Sequence, residues 1–423
     1  MKKVLLRAPI LTQSGYGHHA RTVLRALRTR EDLFDVYLHA INWGTTSWMW
    51  EDSDERRWID SRLEKTMNYV NSGGTFDVSI QVTIPNEWEK IAPINIGVTA
   101  GIETTKVSPQ WIEKSTVVDK IITISNHSKM TYENTSYQVK DDNTGQDFTI
   151  KCLTPIDYVS YPVLTHEEED LPLELSTDFN FLSVVQISPR KNTEKLIKCF
   201  VEKFKEDENV GLVLKVNTSK NSKLDRFNTL SRLRGLLGQY SDRKCKIYLL
   251  HGYLTDGQMS SLYKNPKIKA FVSATRGEGF GLPLFESAYY GLPVIAPDWS
   301  GHVDFLYMPK KVKRNKKTKE VVRGMFAKVG YTLQPVVPEA VWEGVIQKDS
   351  LWAEVSESSL KSNLSEVYKD HGRFAKQAKD LQKWVVKNFN KEKQYKEYVD
   401  SIMSTPGLSQ STEVENMYNM INL

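Results

Sequence analysis

"KAFVSATRGEGFGLPLFESAYYGLPVIAPDWSG", residues 269–301, carries strand, turn, helix and strand signals in one stretch. "KAFVSAT" is a short apolar run of the kind that forms a buried strand. A Gly-Phe-Gly turn follows at 279–281, then a helix-like run through Glu286, then the strand-like "PVIAPD". This succession is the repeating unit of a parallel α/β domain. The turn also carries chemistry. Glu278 precedes it and Glu286 falls in the first turns of the helix after it, so two acids flank glycines whose backbone a ligand approaches closely.

Working outward, the same grammar recurs. "NFLSVVQIS", a helix over about 193–206, "VGLVLKVN", a helix over about 224–238, "CKIYLLHGY" and a helix over about 255–264 lead up to residue 269. Before them, "KVLLRAPI", "FDVYLHAI", "FDVSIQVT", "INIGVTA" and "KIITIS" are five short apolar runs with helical patterns between several of them, one with Ser125 as N-cap. Between the two series, "THEEEDLPLELSTDFN" is acidic, proline-containing and aperiodic, as a linker is. From about 351 onward the pattern is mostly helical. The expected division is an N-terminal Rossmann-like domain over 1–165, a linker over 166–178, a C-terminal Rossmann-like domain over 179–385 and a helical tail over 386–423.

Composition narrows the class. Hydrophobic residues make up 40% and charged residues 26%, which is globular. The net charge of +5 is too small to imply a polyanion partner by itself. Cys152, Cys199 and Cys245 are widely spaced and odd in number, so free thiols are expected. The start of the chain lacks a signal-peptide pattern, because Arg7 breaks a short apolar run. No run reaches the length of a membrane span, and a cytoplasmic chain is expected. The eight histidines show no ligand spacing. Asp52-Ser53-Asp54 has the Asp-x-Asp form of a metal motif, but its charged neighbours favour a solvated helix start, and no metal is expected.

Ligands of doubly wound sheets bind outside the carboxyl ends of the strands. Two further loops fall there. Ser14-Gly15-Tyr16-Gly17-His18 lies between a strand and a helix, without the third glycine of a dinucleotide fingerprint. In "QISPRKNTEKL", residues 186–196, Arg190 and Lys191 sit just ahead of a helix N-terminus. Cations are unfavourable there, and a bound anion reverses that cost. Carboxylates at 278 and 286 are suited to vicinal hydroxyls of two different sugars.

The 269–301 segment resembles the donor-site signature of retaining GT-B glycosyltransferases of the group 1, GT4-like family. "VVQISPRKN" is similar to that family's phosphate-binding loop, and "VDKIITISNHSK" and the early glycines fit its first domain. The resemblance implies a GT-B fold: two Rossmann-like domains with parallel sheets facing across a cleft, and C-terminal helices packing back toward the first. It implies that Glu278 contacts the transferred sugar and that Glu286 binds the nucleotide ribose. Arg190 and Lys191 would neutralise the diphosphate. Gly279, Phe280, Gly281 and Leu282 would bring backbone to the donor, and Tyr253 and Leu254 would flank the base. Gly15 and Gly17 would let their loop approach. Gln186 stands where many relatives have arginine, and Glu103 stands where many have a histidine near the reacting sugar. No cofactor is obligatory; the co-substrate is a nucleotide-diphosphate sugar, UDP- or GDP-linked. The acceptor is a glycan, lipid-linked glycan, protein or DNA. If so, Arg190 and Lys191 lie beside the 278–286 turn.

A nucleotide-sugar epimerase and a non-catalytic sugar-nucleotide-binding protein are the competing functions. A last feature stands apart. "PKKVKRNKKTKEVVRG", residues 309–324, concentrates Lys310, Lys311, Lys313, Arg314, Lys316, Lys317 and Lys319. It reads as a solvated hairpin or loop, or as a contact for a polyanion: DNA, RNA or an anionic membrane surface, with DNA carrying modified bases then one acceptor.

Overall fold

Runs of valine and isoleucine, buried on both faces, build two parallel sheets. The computed structural model describes residues 1–44, 46–140, 145–218, 221–314 and 317–408, without the side chains of 313, 314 and 317. Lys316 and the 409–423 part of the expected tail lie outside the described residues. The chain divides into two units. The first takes in 1–162, 342–347 and 391 onward, and the second takes in 163–341 and 348–390.

The first unit holds a six-stranded parallel sheet in the spatial order Phe34–Ala40, Lys2–Ala8, Val78–Val82, Ile94–Val98, Lys120–Thr123, Ile156–Tyr158. Val4, Leu6, Val78, Ile80, Ile96 and Val98 are buried in it, as expected for strands covered on both faces. The helix Gly15–Arg28 begins earlier than the sequence suggests. Gly15 and Gly17 lie within its first turn, because the Ser14 hydroxyl accepts from the Gly17 amide at 2.9 Å and caps the helix there. Ser125 caps Asn126–Asn134 as expected. Ser53 caps Asp54–Asn71, and Asp52 and Asp54 both pair with Arg57, so Asp-x-Asp is a helix start.

Of the C-terminal helices, Lys391–Met403 belongs to the first unit. Its Tyr398, Val399 and Ile402 share a core with Ala20, Val23, Leu24 and Leu27. The His19 ring meets the Tyr398 hydroxyl at 2.7 Å, and burial pushes His19 down to about 3, so the pair is neutral.

The second unit's sheet runs Lys246–Leu250, Val210–Asn217, Phe179–Gln186, Ile268–Val272, Val294–Pro297, Ala327–Val329 in space, all parallel. Helices Glu357–Lys369 and His371–Asn388 pack in this unit, with Leu360, Leu364, Val367 and Phe374 in its core. The mostly helical stretch from about 351 does not start as helix: Leu351–Val355 is a strand, antiparallel to Tyr331–Pro335. The acidic stretch at 164–178 has neither helix nor strand. It is tied along the helix Asp256–Lys264, with Thr255 donating to Glu169 at 2.6 Å and Lys264 pairing with Glu168 at 3.0 Å.

Candidate functional site

Strand order in the second sheet reverses between Phe179–Gln186 and Ile268–Val272, which are adjacent in space. A crevice opens outside the carboxyl ends of strands at such a reversal. The loops leaving these two strands are 187–192 and 273–281, the two that carry Arg190, Lys191 and Glu278. The backbones are stitched together. The Arg276 amide donates to the Arg190 carbonyl at 2.8 Å, and the Arg276 guanidinium donates to the Pro189 carbonyl at 2.6 Å and to Glu354 at 2.6 Å.

Across this seam the charged side chains meet. Lys191 Nζ lies 2.5 Å from Glu278 Oε1, and Arg190 donates at 3.0 Å to Oε2 and at 2.7 Å to the Gly277 carbonyl. Burial by itself would raise the Glu278 carboxyl, but Lys191 and Arg190 outweigh it and hold the group down at about 2. Glu278 is therefore ionised throughout the physiological range, and two cations against one carboxylate leave the trio with a net charge of +1. It sits by two helix N-termini, Thr193–Phe204 after a left-handed Asn192 (φ 52°) and Leu282–Tyr290 after a left-handed Gly281 (φ 93°). Among the described residues neither helix start has a side-chain cap, which leaves its first amides open to an anion.

The turn is braced from behind by residues that sequence reasoning did not single out. The Glu278 amide donates to Ser300 Oγ at 3.0 Å, and the Gly301 amide to the Glu278 carbonyl at 2.9 Å. Buried His302 donates through Nε2 to the Pro297 carbonyl at 2.7 Å, and burial lowers its ring's proton affinity. The only signal was position: "DWSGH" follows the carboxyl end of Val294–Pro297. A Cβ on Gly301 would overlap the Gly279 carbonyl, a backbone atom without freedom to move aside. Gly301→Ala is expected to cost about 1–3 kcal/mol through this overpacking. A thermal melt reads the loss, and an unchanged Tm would show that the turn is not locked.

Glu286 lies one helical step further in. Its Oε2 accepts from the buried Tyr263 hydroxyl at 2.7 Å. Burial pushes its carboxyl up to about 7, with the Tyr263 bond acting in the opposite direction. The Phe280 ring is a core anchor against Phe285 and Phe305, so that residue offers backbone only. Gln186 ends the Phe179–Gln186 strand and reaches the Thr218 carbonyl at 3.2 Å. Tyr253 is exposed and Leu254 half-buried, in the loop after Lys246–Leu250. That loop is held where Lys215 donates to the Gly252 carbonyl at 2.5 Å. The structure thus gathers Arg190, Lys191 and Glu278, and sets Gly279, Phe280, Gly281, Leu282 and Glu286 next to them along the chain. Gly15, Gly17 and Glu103 lie in the first unit.

Residues 167–310 match the family described as "Glycosyl transferases group 1". No curated protein matches the chain. Among solved structures, the chain is similar to sucrose-phosphate synthase from Thermosynechococcus elongatus, at 12% identity and TM-score 0.59 over 95% of this chain and 98% of that one. It is similar to HepE from Anabaena, solved with UDP and glucose, at 12% identity and TM-score 0.56 over 96% and 100%. A glycosyltransferase from Rickettsia africae matches at 12% identity and TM-score 0.55 over 95% and 99%. The fold is GT-B.

Proposed function

We propose that this chain, whose second unit carries a group 1 glycosyl transferase domain, moves a sugar from a nucleotide-diphosphate sugar to an acceptor hydroxyl with retention at the anomeric carbon. One observation carries the proposal: Arg190, Lys191 and Glu278 converge at the strand-order reversal, beside two uncapped helix starts. The cations and amides suit a diphosphate. As the sugar–phosphate bond breaks, negative charge grows on the departing diphosphate and positive charge on the anomeric carbon. Fixed donors stabilise that separation more than they stabilise the bound ground state. Because Arg190 and Lys191 supply the positive charge, no metal is assigned.

Glu278 is tied by two cations and held near 2, which makes it a poor nucleophile and a poor base at neutral pH. This favours a route without a sugar–enzyme bond. The acceptor oxygen bonds to the anomeric carbon on the face from which the diphosphate leaves. The sugar–phosphate bond breaks, and the acceptor proton passes to a leaving phosphate oxygen. Glu278 uses its remaining lone pairs for the sugar's hydroxyls, Glu286 takes the ribose hydroxyls, and the amides of Phe280, Gly281 and Leu282 approach the phosphates. Gln186 adds a neutral donor, Tyr253 and Leu254 flank the base, and Gly15, Gly17 and Glu103 are assigned to the acceptor side.

A thermal-shift and hydrolysis screen of UDP-, GDP- and ADP-sugars tests the proposal, since a ligand that binds only the folded state raises Tm. HepE's UDP makes UDP-sugars the first to try. One donor is expected to raise Tm and to be hydrolysed slowly. A shift without turnover would indicate a binding protein, and an epimer formed without acceptor would indicate an epimerase. No shift with any donor sinks the proposal.

A further inference from the structure

The net positive charge of this chain comes from one short segment. Residues 307–324 hold eight of the 57 Lys and Arg but one of the 52 Asp and Glu, a local charge of +7 against +5 for the whole chain. Everything else together is slightly acidic.

The segment is an antiparallel ribbon, Tyr307–Arg314 paired with Lys317–Gly324, that joins neither parallel sheet. Its base is anchored to the helix His371–Asn388. Lys310 pairs with Asp380 at 3.1 Å, and Gln377 donates to the Gly324 carbonyl at 3.2 Å. The register sets Arg323 opposite Met308, Val321 opposite Lys310, and Lys319 opposite Val312. Residues opposite one another share a face and alternate positions repeat it, so Lys310, Lys319 and Arg323 lie on one side of the ribbon, while its one acid, Glu320, lies on the other, opposite Lys311. Between this base and the helix is a cavity of about 320 Å³ lined by Lys310, Arg323, Arg373, Lys376, Gln377 and Asp380. Arg373 is held by Glu366 and Asp370. Arg323 and Lys376 are exposed and have no ion pair among the described residues.

Like charges packed along a ribbon repel one another, and a polyanion turns that cost into attraction. The chemistry favours one polyanion. A two-stranded ribbon fits the B-form major groove, whereas the A-form groove of duplex RNA is too deep and narrow. Residues 308–323 contain no aromatic side chain, so the platform on which single strands stack is missing. They also lack the Trp, Phe or Leu anchors of a membrane-surface element. We propose that this ribbon docks the chain on duplex DNA through the phosphodiester backbone, independent of base sequence. The proposal adds to the sugar-transfer reading and does not depend on it.

Fluorescence anisotropy with a random-sequence duplex of about 30 base pairs, from about 50 to 200 mM salt, tests it. The wild type is expected to bind, more weakly as salt rises. Lys319→Ala, Arg323→Ala and Lys376→Ala combined should lose at least about tenfold in affinity, and the log–log salt slope should become shallower by about 3, near 0.9 per phosphate released. Single-stranded DNA, duplex RNA and phosphatidylserine vesicles should bind at least about tenfold more weakly than the duplex. Absent or salt-insensitive duplex binding, an unaffected triple variant, or preference for any other probe overturns the proposal. Donor hydrolysis read on the same samples keeps the two functions separate: the triple variant should retain it, and its absence from the wild type counts against sugar transfer alone.

Discussion

Lys191→Met is expected to lower kcat for sugar transfer by about 10²- to 10³-fold, the range for removing one fixed group that stabilises charge in a transition state. Methionine keeps most of the stem and removes the charge. Glu278 retains Arg190 at 3.0 Å, so the variant does not leave a buried carboxylate alone. Donor affinity should change much less, because the bound diphosphate still meets Arg190 and the helix amides. In the proposed reaction, the charge that grows as the sugar–phosphate bond breaks loses one of its two fixed cations. Single-turnover rates and calorimetric donor binding separate the two effects. A kcat within about threefold of wild type would remove Lys191 from the catalytic assignment, and an equal loss in binding and rate would make it a ground-state contact.

Glu286 gives the second large effect. Glu286→Ala is expected to weaken donor binding by about 1.5–3 kcal/mol, roughly 10- to 150-fold, the value of hydrogen bonds to a charged group. Its pH dependence has a definite sign. Burial raises the folded carboxyl to about 7, so it is neutral below that point and ionised above it. A carboxylate accepts from both ribose hydroxyls, whereas a neutral carboxyl keeps a proton that competes. Donor affinity should therefore rise as pH increases through about 7, and Glu286→Gln should flatten the profile. The ligand-free protein moves the other way. A raised carboxyl contributes stability that is fully present below its unfolded value and is lost as pH rises through about 7. Glu286→Gln should thus melt above wild type at pH 8. A flat wild-type binding profile, or a Gln variant that melts lower, would contradict this account.

Local grammar made most of the fold legible. The strands announced themselves as short apolar runs, and Ser125 announced its helix. Arg190, Lys191 and Glu278 could be placed on one side of a sheet because two loops left adjacent strand ends. What stayed hidden depends on contacts that sequence does not display. Tyr263 reaches Glu286 from 23 residues away. Arg276 was part of the decisive stretch, but its role comes from carbonyls at Pro189 and Arg190 that no spacing rule names. Ser300 and His302 act through backbone geometry behind the turn. Leu351–Val355 fell within the stretch read as mostly helical because five residues are too few for periodicity to declare a strand.

The division of the chain also bears on how it is made. The first unit needs Lys391–Met403, whose Tyr398, Val399 and Ile402 cover Ala20, Val23 and Leu27. A ribosome delivers that helix only after more than two hundred residues of the other unit have emerged. The unit whose sheet is made earlier is therefore the last to close, and its apolar helix face stays open to chaperones until residue 391 and beyond have emerged. A premature stop anywhere before 391 would release a nascent chain with that face permanently bare.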